Sequence, residues 1–299
     1  IQKPPHLEAV FALAAGSGTP MPGGVRDMGS DLWLMRMALT SPGADRVLSM
    51  WKLLQFQAQP DLVIKLSQAE REELLKEFPS YYKAYQAARE HPSTDDFWKQ
   101  QPWYMPAHYR HMKDVPTCFH GGWYDFQSEG LIDNFVALSR LQKTPKKLIV
   151  GPWPHAAGQA ECGDAYFGPS GAVEIRPLEL DWFDHWLKGR PFRVLKSELV
   201  EYFVMGGGPG TRTPAGKLYH GGEWRTARSW PLASARSVRY YLHTGGGLSE
   251  KRPGREPSSA FDYAPSNPVP MKGGRNRSAD KSPGCVQDQG RGRPDVLVF

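Results

Sequence analysis

The sequence predicts an α/β fold in which a parallel sheet is interrupted by a helical insertion and followed by an all-β domain. Three observations support this prediction. Strand and helix patterns alternate between residues 113 and 192, residues 30–100 carry helical patterns alone, and no helical stripe follows Gly189. The 299 residues are enough to bury a sizeable core in one large domain or two ordinary ones.

The first two zones contribute one strand and a helical region. The run EAVFALA at 8–14 is apolar and ends near Gly16, as a buried strand does. From about 30 to 100, apolar residues recur at helical spacing, for example Val47, Trp51 and Leu54. Ser67 and Glu70 have the three-residue separation of a capping box and predict a helix start.

The third zone predicts two strand–helix units. A strand over Thr117–His120 is followed by a helix with apolar residues at 131, 135, 138 and 141. A second strand, Lys147–Gly151, precedes a helix over Leu178–Lys188 that Gly189 is placed to end. Parallel strands joined by crossover helices give this order.

The fourth zone changes character. Leu199–Met205 and Val238–His243 have strand-like patterns and each precedes a run of three glycines, whereas Asp295–Phe299 reads as a further strand. Strands separated by long loops predict a β-sandwich.

Composition excludes several classes of protein. With 40% hydrophobic residues, 10 Trp, 12 Tyr and 13 Phe, the chain is not expected to be disordered. No apolar run approaches the ~18 residues of a membrane-spanning helix. The net charge of +6 is modest, and the basic stretch 251–293 lies among Gly, Pro and Ser, so we expect a solvated loop rather than a nucleic-acid surface.

Two polar residues follow the predicted strands of the third zone. Asp125 comes after Gly121-Gly122-Trp123-Tyr124, and His155 comes after Gly151-Pro152-Trp153-Pro154. The carboxyl ends of parallel strands meet at one edge of a sheet, where α/β enzymes place functional groups. The pattern therefore suggests the acid and base of a catalytic triad. The alternative is that Asp125 caps the next helix and His155 is a loop residue.

The segments HGGWYDFQSEGLIDNF, PKKLIVGPWPH and DWFDHWLKG resemble the CocE/NonD family of serine hydrolases. This family includes cocaine esterase, α-amino-acid ester hydrolases and X-prolyl dipeptidyl-peptidases. The resemblance implies the C-terminal part of an α/β-hydrolase domain with a helical cap insertion, followed by an all-β jelly-roll domain. It divides the chain into a hydrolase segment (1–28), a cap (29–112), a hydrolase segment with the triad Asp and His (113–192) and a truncated jelly roll (193–299).

The resemblance implies hydrolysis of esters or amides through an acyl-enzyme, with Asp125 and His155 as triad acid and base and no metal or organic cofactor. The family nucleophile is a Ser in a Gly-x-Ser-Tyr-x-Gly elbow, and this sequence contains no Gly-x-Ser-x-Gly. We expect the elbow upstream of Ile1, the chain to be a fragment, and the chain alone to be inactive. Ser17 and Ser170 have Gly close on both sides, but we interpret both as turn residues.

The aromatic residues Trp123, Tyr124 and Trp153 flank the two candidate catalytic residues. Each could line a substrate pocket or pack against the edge of the sheet, and the sequence leaves both interpretations open. The expected partner is a small ester, amide or peptide substrate, with no nucleic acid and no membrane. Homo-oligomerisation and compartment stay open, although the cytoplasm is favoured because no signal peptide is visible.

Two alternatives belong to other functional classes. One is a non-catalytic protein that binds a ligand or partner and retains a relic triad. The other is a carbohydrate-binding β-domain fused to helical structure, which leaves the Asp125–His155 spacing unexplained.

Overall fold

The computed structural model describes most of the chain. The described residues are 3–16, 28–39, 41, 66–102, 104–155, 158–193, 195, 198–267, 269, 274–275, 293 and 295–299, with the backbone alone at 28–32. Contacts divide the chain into two compact units, one formed by 1–17 with 109–299 and the other by 18–108. None of the described helices combines the length and apolar character that a membrane crossing requires.

The unit 18–108 is helical in its described part. Its helices are α1 (Met28–Leu39), α2 (Gln68–Lys76), α3 (Pro79–Glu90) and α4 (Asp96–Lys99), followed by a 3-10 turn at Met105–Ala107. The predicted capping box is confirmed, because the Ser67 hydroxyl accepts from the Glu70 N–H and the Glu70 carboxylate accepts from the Ser67 N–H. The helical stripe predicted at 47, 51 and 54 lies outside the described residues.

A small apolar core holds these helices together. Each helix of α1–α3 turns one apolar side inward, and the buried members are Met35, Ala38, Leu39, Leu75, Phe78 and Tyr85. This burial, rather than the intrinsic preference of such short segments, accounts for most of their stability.

The other unit contains a central sheet of five described strands. In sheet order these are β1 (Val10–Leu13), β2 (Thr117–Gly122), β3 (Lys146–Gly151), β6 (Val200–Met205) and β8 (Gly222–Ala227). The first four are parallel, and β8 is antiparallel to β6. The predicted strands and their mostly parallel arrangement are therefore confirmed.

Helices cover both faces of this sheet. Helix α5 (Ser128–Leu141) joins β2 to β3, and α6 (Ile175–Lys188) joins β3 to β6. Because successive side chains of a strand point to opposite faces, Phe119 and Leu148 pack under α5, whereas Cys118 and Ile149 pack under α6. Gly189 ends α6 in a left-handed conformation, as predicted.

Smaller strands complete the unit. The strands β4 (Glu161–Cys162), β5 (Ala165–Tyr166) and β7 (Leu218–Tyr219) form one small sheet, and β9 (Tyr241–His243) pairs with β10 (Gly247–Ser249) in a hairpin. Short 3-10 turns occupy Tyr109–His111 and Pro169–Gly171.

The last zone differs from the sequence prediction in two places. Strand β6, which the sequence assigned to the second domain, extends the central sheet, where Val200 and Phe203 are fully buried. The prediction of a strand over Asp295–Phe299 is wrong, because these residues pair with no described strand and Val298 is 76% exposed. The jelly-roll sandwich itself stays a prediction.

Candidate active site

The ends of β2 and β3 bring Asp125 and His155 together, as the sequence predicted. Gly122 and Gly151 are the last residues of the two neighbouring strands and lie opposite each other in the sheet. Each loop then turns over this edge, so that Asp125, three residues after β2, reaches His155, four residues after β3. Both loops belong to the same compact unit.

Asp125 is a buried carboxylate with defined hydrogen bonds. Asp125 is 0% exposed, and its Oδ1 accepts from the backbone N–H of Gln127 at 2.8 Å. His155 Nδ1 lies 3.1 Å from Oδ1 and 3.3 Å from Oδ2 of the same carboxylate. A carboxylate only accepts, so Nδ1 is the donor and carries a proton. Asp125 thus selects the ring tautomer and fixes the ring orientation.

The other nitrogen of His155 is the one available for chemistry. The side chain is 33% exposed, and Nε2 has no hydrogen-bond partner among the described residues. The ring of Phe126 packs against the imidazole at 4.8 Å between centroids and an angle of 44°. A neutral imidazole whose Nδ1–H is held by a carboxylate can accept a proton at Nε2 and return it.

Backbone contacts between the two loops hold this arrangement. The N–H of Trp123 donates to the carbonyl of Gly151 at 2.8 Å, and the N–H of Tyr124 donates to the carbonyl of Trp153 at 3.1 Å. The loops approach so closely that a Cβ on Gly122 would overlap the backbone of Trp153, which excludes every other residue there without displacement.

The three aromatic candidates differ in their contacts. Trp153 is 0% exposed, donates from Nε1 to the carbonyl of Gly171 at 2.6 Å and stacks on His120, so its contacts are packing contacts. Trp123 and Tyr124 are half-buried, and each donates a hydrogen bond to β6. Burial raises the pKa of Tyr124, which keeps its hydroxyl protonated as a donor.

His120 is a buried residue that the sequence analysis did not single out. It is 0% exposed between the rings of Phe11 and Trp153, and neither ring nitrogen has a hydrogen-bond partner among the described residues. Burial lowers its pKa to about 4. Its position inside β2, one residue before the double glycine, was the only available signal.

We expect His120 to make the fold sensitive to acid. The unfolded chain takes up a proton near pH 6.5, whereas the folded chain does so only near pH 4. The free energy of unfolding should therefore fall as the pH drops from about 6.5 to about 4, by about 3 kcal/mol in total from this residue. The measurement is urea denaturation across this range for the wild-type chain and His120→Leu. Parallel pH profiles would contradict the prediction, since the leucine variant should lack this part of the slope.

A second group of catalytic residue types occurs in the β9–β10 hairpin. His243 Nδ1 lies 3.0 Å from the Glu256 carboxylate, and Nε2 lies 2.9 Å from the Ser249 hydroxyl. However, Nε2 is also 3.0 Å from the carbonyl of Lys251, which can only accept. Nδ1 thus faces a carboxylate and Nε2 faces two oxygen atoms, so hydrogen bonds hold the ring on both sides. This group is a structural clamp, in which hydrogen bonds from Thr244 and His243 lower the pKa of Glu256 to about 2.

Other candidates are placed as follows. Ser170 lies exposed in the 3-10 turn Pro169–Gly171, and Ser17 lies outside the described residues. Within the described part of the chain, no group of three or more His, Cys, Asp or Glu side chains is arranged to hold a metal ion.

Comparison with solved structures identifies similar but longer proteins. Two structures, both of a CocE/NonD family hydrolase from Staphylococcus aureus, match with 17% sequence identity and a TM-score of 0.47. Each match covers 83% of this chain and 35% of the solved chain, so this chain spans about a third of the length of those proteins. No curated protein matches the chain significantly.

A family model gives the decisive match. The model for the X-Pro dipeptidyl-peptidase (S15) family matches residues 1–157, which is more than half of the chain and includes both Asp125 and His155. The family that the motifs around these two residues suggested is thereby confirmed. The chain belongs to the X-Pro dipeptidyl-peptidase (S15) family of hydrolases.

Proposed function

We propose that this chain supplies the acid and the base of a serine hydrolase that cleaves esters or amides. The observation that supports this most directly is the Asp125–His155 pair. The carboxylate of Asp125 is fully buried, and His155 Nδ1 lies 3.1 Å from it. The His155 side chain is one third exposed, and its Nε2 has no hydrogen-bond partner in the described part of the chain. A capping aspartate beside an unrelated loop histidine would not require this geometry.

In the proposed reaction, a seryl hydroxyl attacks the substrate carbonyl carbon while His155 Nε2 takes the hydroxyl proton. The tetrahedral intermediate then collapses, the bond to the leaving alcohol or amine breaks, and His155 returns the proton to that group. Water repeats the sequence on the acyl-enzyme and regenerates the serine. Asp125 stabilises the imidazolium that forms twice in each cycle. The reaction requires no metal or organic cofactor.

We further propose that the nucleophilic serine comes from a segment outside these 299 residues. The sequence has no Gly-x-Ser-x-Gly, and Ser170 follows His155 in the chain, whereas α/β-hydrolases have the serine first. The chain also spans only about a third of the similar solved structures. The family description points to peptides with proline in second position as one substrate class. Simple esters, which the resemblance to cocaine esterase implies, are the other.

The test compares the pure chain with the native protein from its source. Each is assayed with an Xaa-Pro nitroanilide and with a nitrophenyl ester. We expect the native protein to cleave at least one substrate and the pure chain to cleave neither, because the nucleophile and oxyanion donors supply the largest catalytic contributions. Turnover by the pure chain that is lost in His155→Ala would contradict the proposal that the nucleophilic serine lies outside these 299 residues. An inactive native protein would favour the non-catalytic binding protein.

A further inference from the structure

The loop that carries Asp125 is attached to strand β6 by two consecutive aromatic side chains. The indole Nε1 of Trp123 donates to the carbonyl of Phe203 at 2.8 Å, and the hydroxyl of Tyr124 donates to the sulfur of Met205 at 3.2 Å. Both acceptors belong to β6, about 80 residues further along the chain. The loop is therefore bonded to a strand that lies outside the family match at 1–157.

Trp123 is held from two directions. Its backbone N–H donates to the carbonyl of Gly151 on the β3 side, while its side chain donates to β6 beyond it. The indole also packs against Trp230, with 5.8 Å between ring centroids. A half-buried indole N–H that loses its acceptor is left unsatisfied, so rotation of this residue is unfavourable. The peptide that leads into Asp125 has little freedom as a result.

The carboxylate geometry depends on this peptide. Asp125 lies two residues after Trp123, and its backbone N–H donates to the carbonyl of Gly122, the residue before Trp123. A shift of Trp123 would move both ends of this turn and hence the Oδ1 atom that faces His155 Nδ1. Displacements of about 1 Å in supporting residues can reduce rates about 100-fold in enzymes.

We propose that Trp123 is a positioning residue for the Asp125–His155 pair, acting through its hydrogen bond to the Phe203 carbonyl. This inference rests on the proposed function, because it assigns Trp123 to the geometry of that same pair. Trp123 acts through Asp125. Of the two interpretations that the sequence left open for Trp123, the contacts favour packing, and this packing would affect catalysis through Asp125.

The test measures the His155 Nδ1 proton by NMR in the full chain with 15N-labelled histidine. A proton held by Asp125 exchanges slowly and resonates downfield. In Trp123→Phe we expect this resonance to move upfield or broaden through faster exchange. The matched control is Trp230→Phe, which alters the same aromatic contact without removing the hydrogen bond and should leave the resonance unchanged. In the native protein, Trp123→Phe should lower kcat about 10- to 100-fold with little change in KM.

A second replacement guards against misfolding of the first. Benzothienylalanine at position 123 keeps the shape of tryptophan and removes only the N–H donor, and it should reproduce the change in the resonance. An unchanged resonance in a folded variant, or equal changes in the Trp123 and Trp230 variants, would overturn the inference. Absence of the resonance from the wild-type chain would instead contradict the Asp125–His155 pair, and with it the proposed function.

Discussion

Replacing Asp125 with asparagine in the native protein is expected to lower kcat for ester or amide hydrolysis by about 10⁴-fold. In the wild-type site, Oδ1 accepts from Gln127 and the carboxylate faces Nδ1 of His155. An asparagine retains one acceptor oxygen, which the Gln127 N–H can hold. The amide NH₂ then takes the place of Oδ2, which lies 3.3 Å from Nδ1, and can donate to that nitrogen. This favours the tautomer with its proton on Nε2, which cannot accept the serine proton.

The matched control is Asp114→Asn. Asp114 is also a hydrogen-bonded carboxylate, but it accepts from the backbone N–H groups of Lys143 and Thr144. These residues lie just before β3 begins, at the opposite end of the strands from Asp125. Burial alone would raise the pKa of Asp114, whereas the hydrogen bonds from Thr144 and Lys143 lower it to about 2. This variant should lose stability without losing kcat. Equal kcat values for the Asp125 variant and the wild-type protein would remove Asp125 from the mechanism.

Replacing Glu201 with glutamine is expected to lower the free energy of unfolding by about 3–5 kcal/mol. The Lys147 ammonium lies 2.7 Å from the Glu201 carboxylate, and the two side chains are only 5% and 12% exposed. Removing one partner of a buried ion pair takes away the attraction that offsets the desolvation of the other charge. The measurement is urea denaturation of the pure chain followed by circular dichroism.

Two comparisons separate this ion pair from general effects of charge. Glu223→Gln breaks an ion pair with Arg225 on β8 whose side chains are more than half exposed, and it should change stability by less than about 1 kcal/mol. The double variant Lys147→Met/Glu201→Leu removes both charges and should recover most of the lost stability. If Glu201→Gln matches the wild-type chain, strand β6 does not pair with β3 as described.

This ion pair also shows why the sequence misplaced β6. The pattern over Leu199–Met205 identified a strand, and the structure confirms one at Val200–Met205. The choice of sheet depends on a partner more than 50 residues away, since Lys147 contacts Glu201 and also donates to the carbonyl of Glu198. Local patterning identifies a strand but does not show which distant strand it pairs with. The same limit explains Asp295–Phe299, whose apolar sequence suits a strand that finds no partner among the described residues.

The candidate site was more predictable than the fold around it. Asp125 and His155 follow neighbouring parallel strands, so their encounter follows from topology alone. The roles of Trp123 and Trp153 do not, because an aromatic side chain suits a pocket and a core equally well. Only the structure distinguishes the two possibilities, because it shows that the indole N–H of Trp123 donates to Phe203 and that of Trp153 to Gly171.

The most direct measurement of the split site is labelling with a fluorophosphonate, which traps activated serines, followed by intact mass and peptide mapping. The pure chain and the native protein are treated side by side, together with His155→Ala in the native protein. We expect no label on the pure chain, one labelled serine upstream of Ile1 in the native protein, and loss of that label in the His155 variant. A labelled serine within these 299 residues, or labelling that persists without His155, would contradict it.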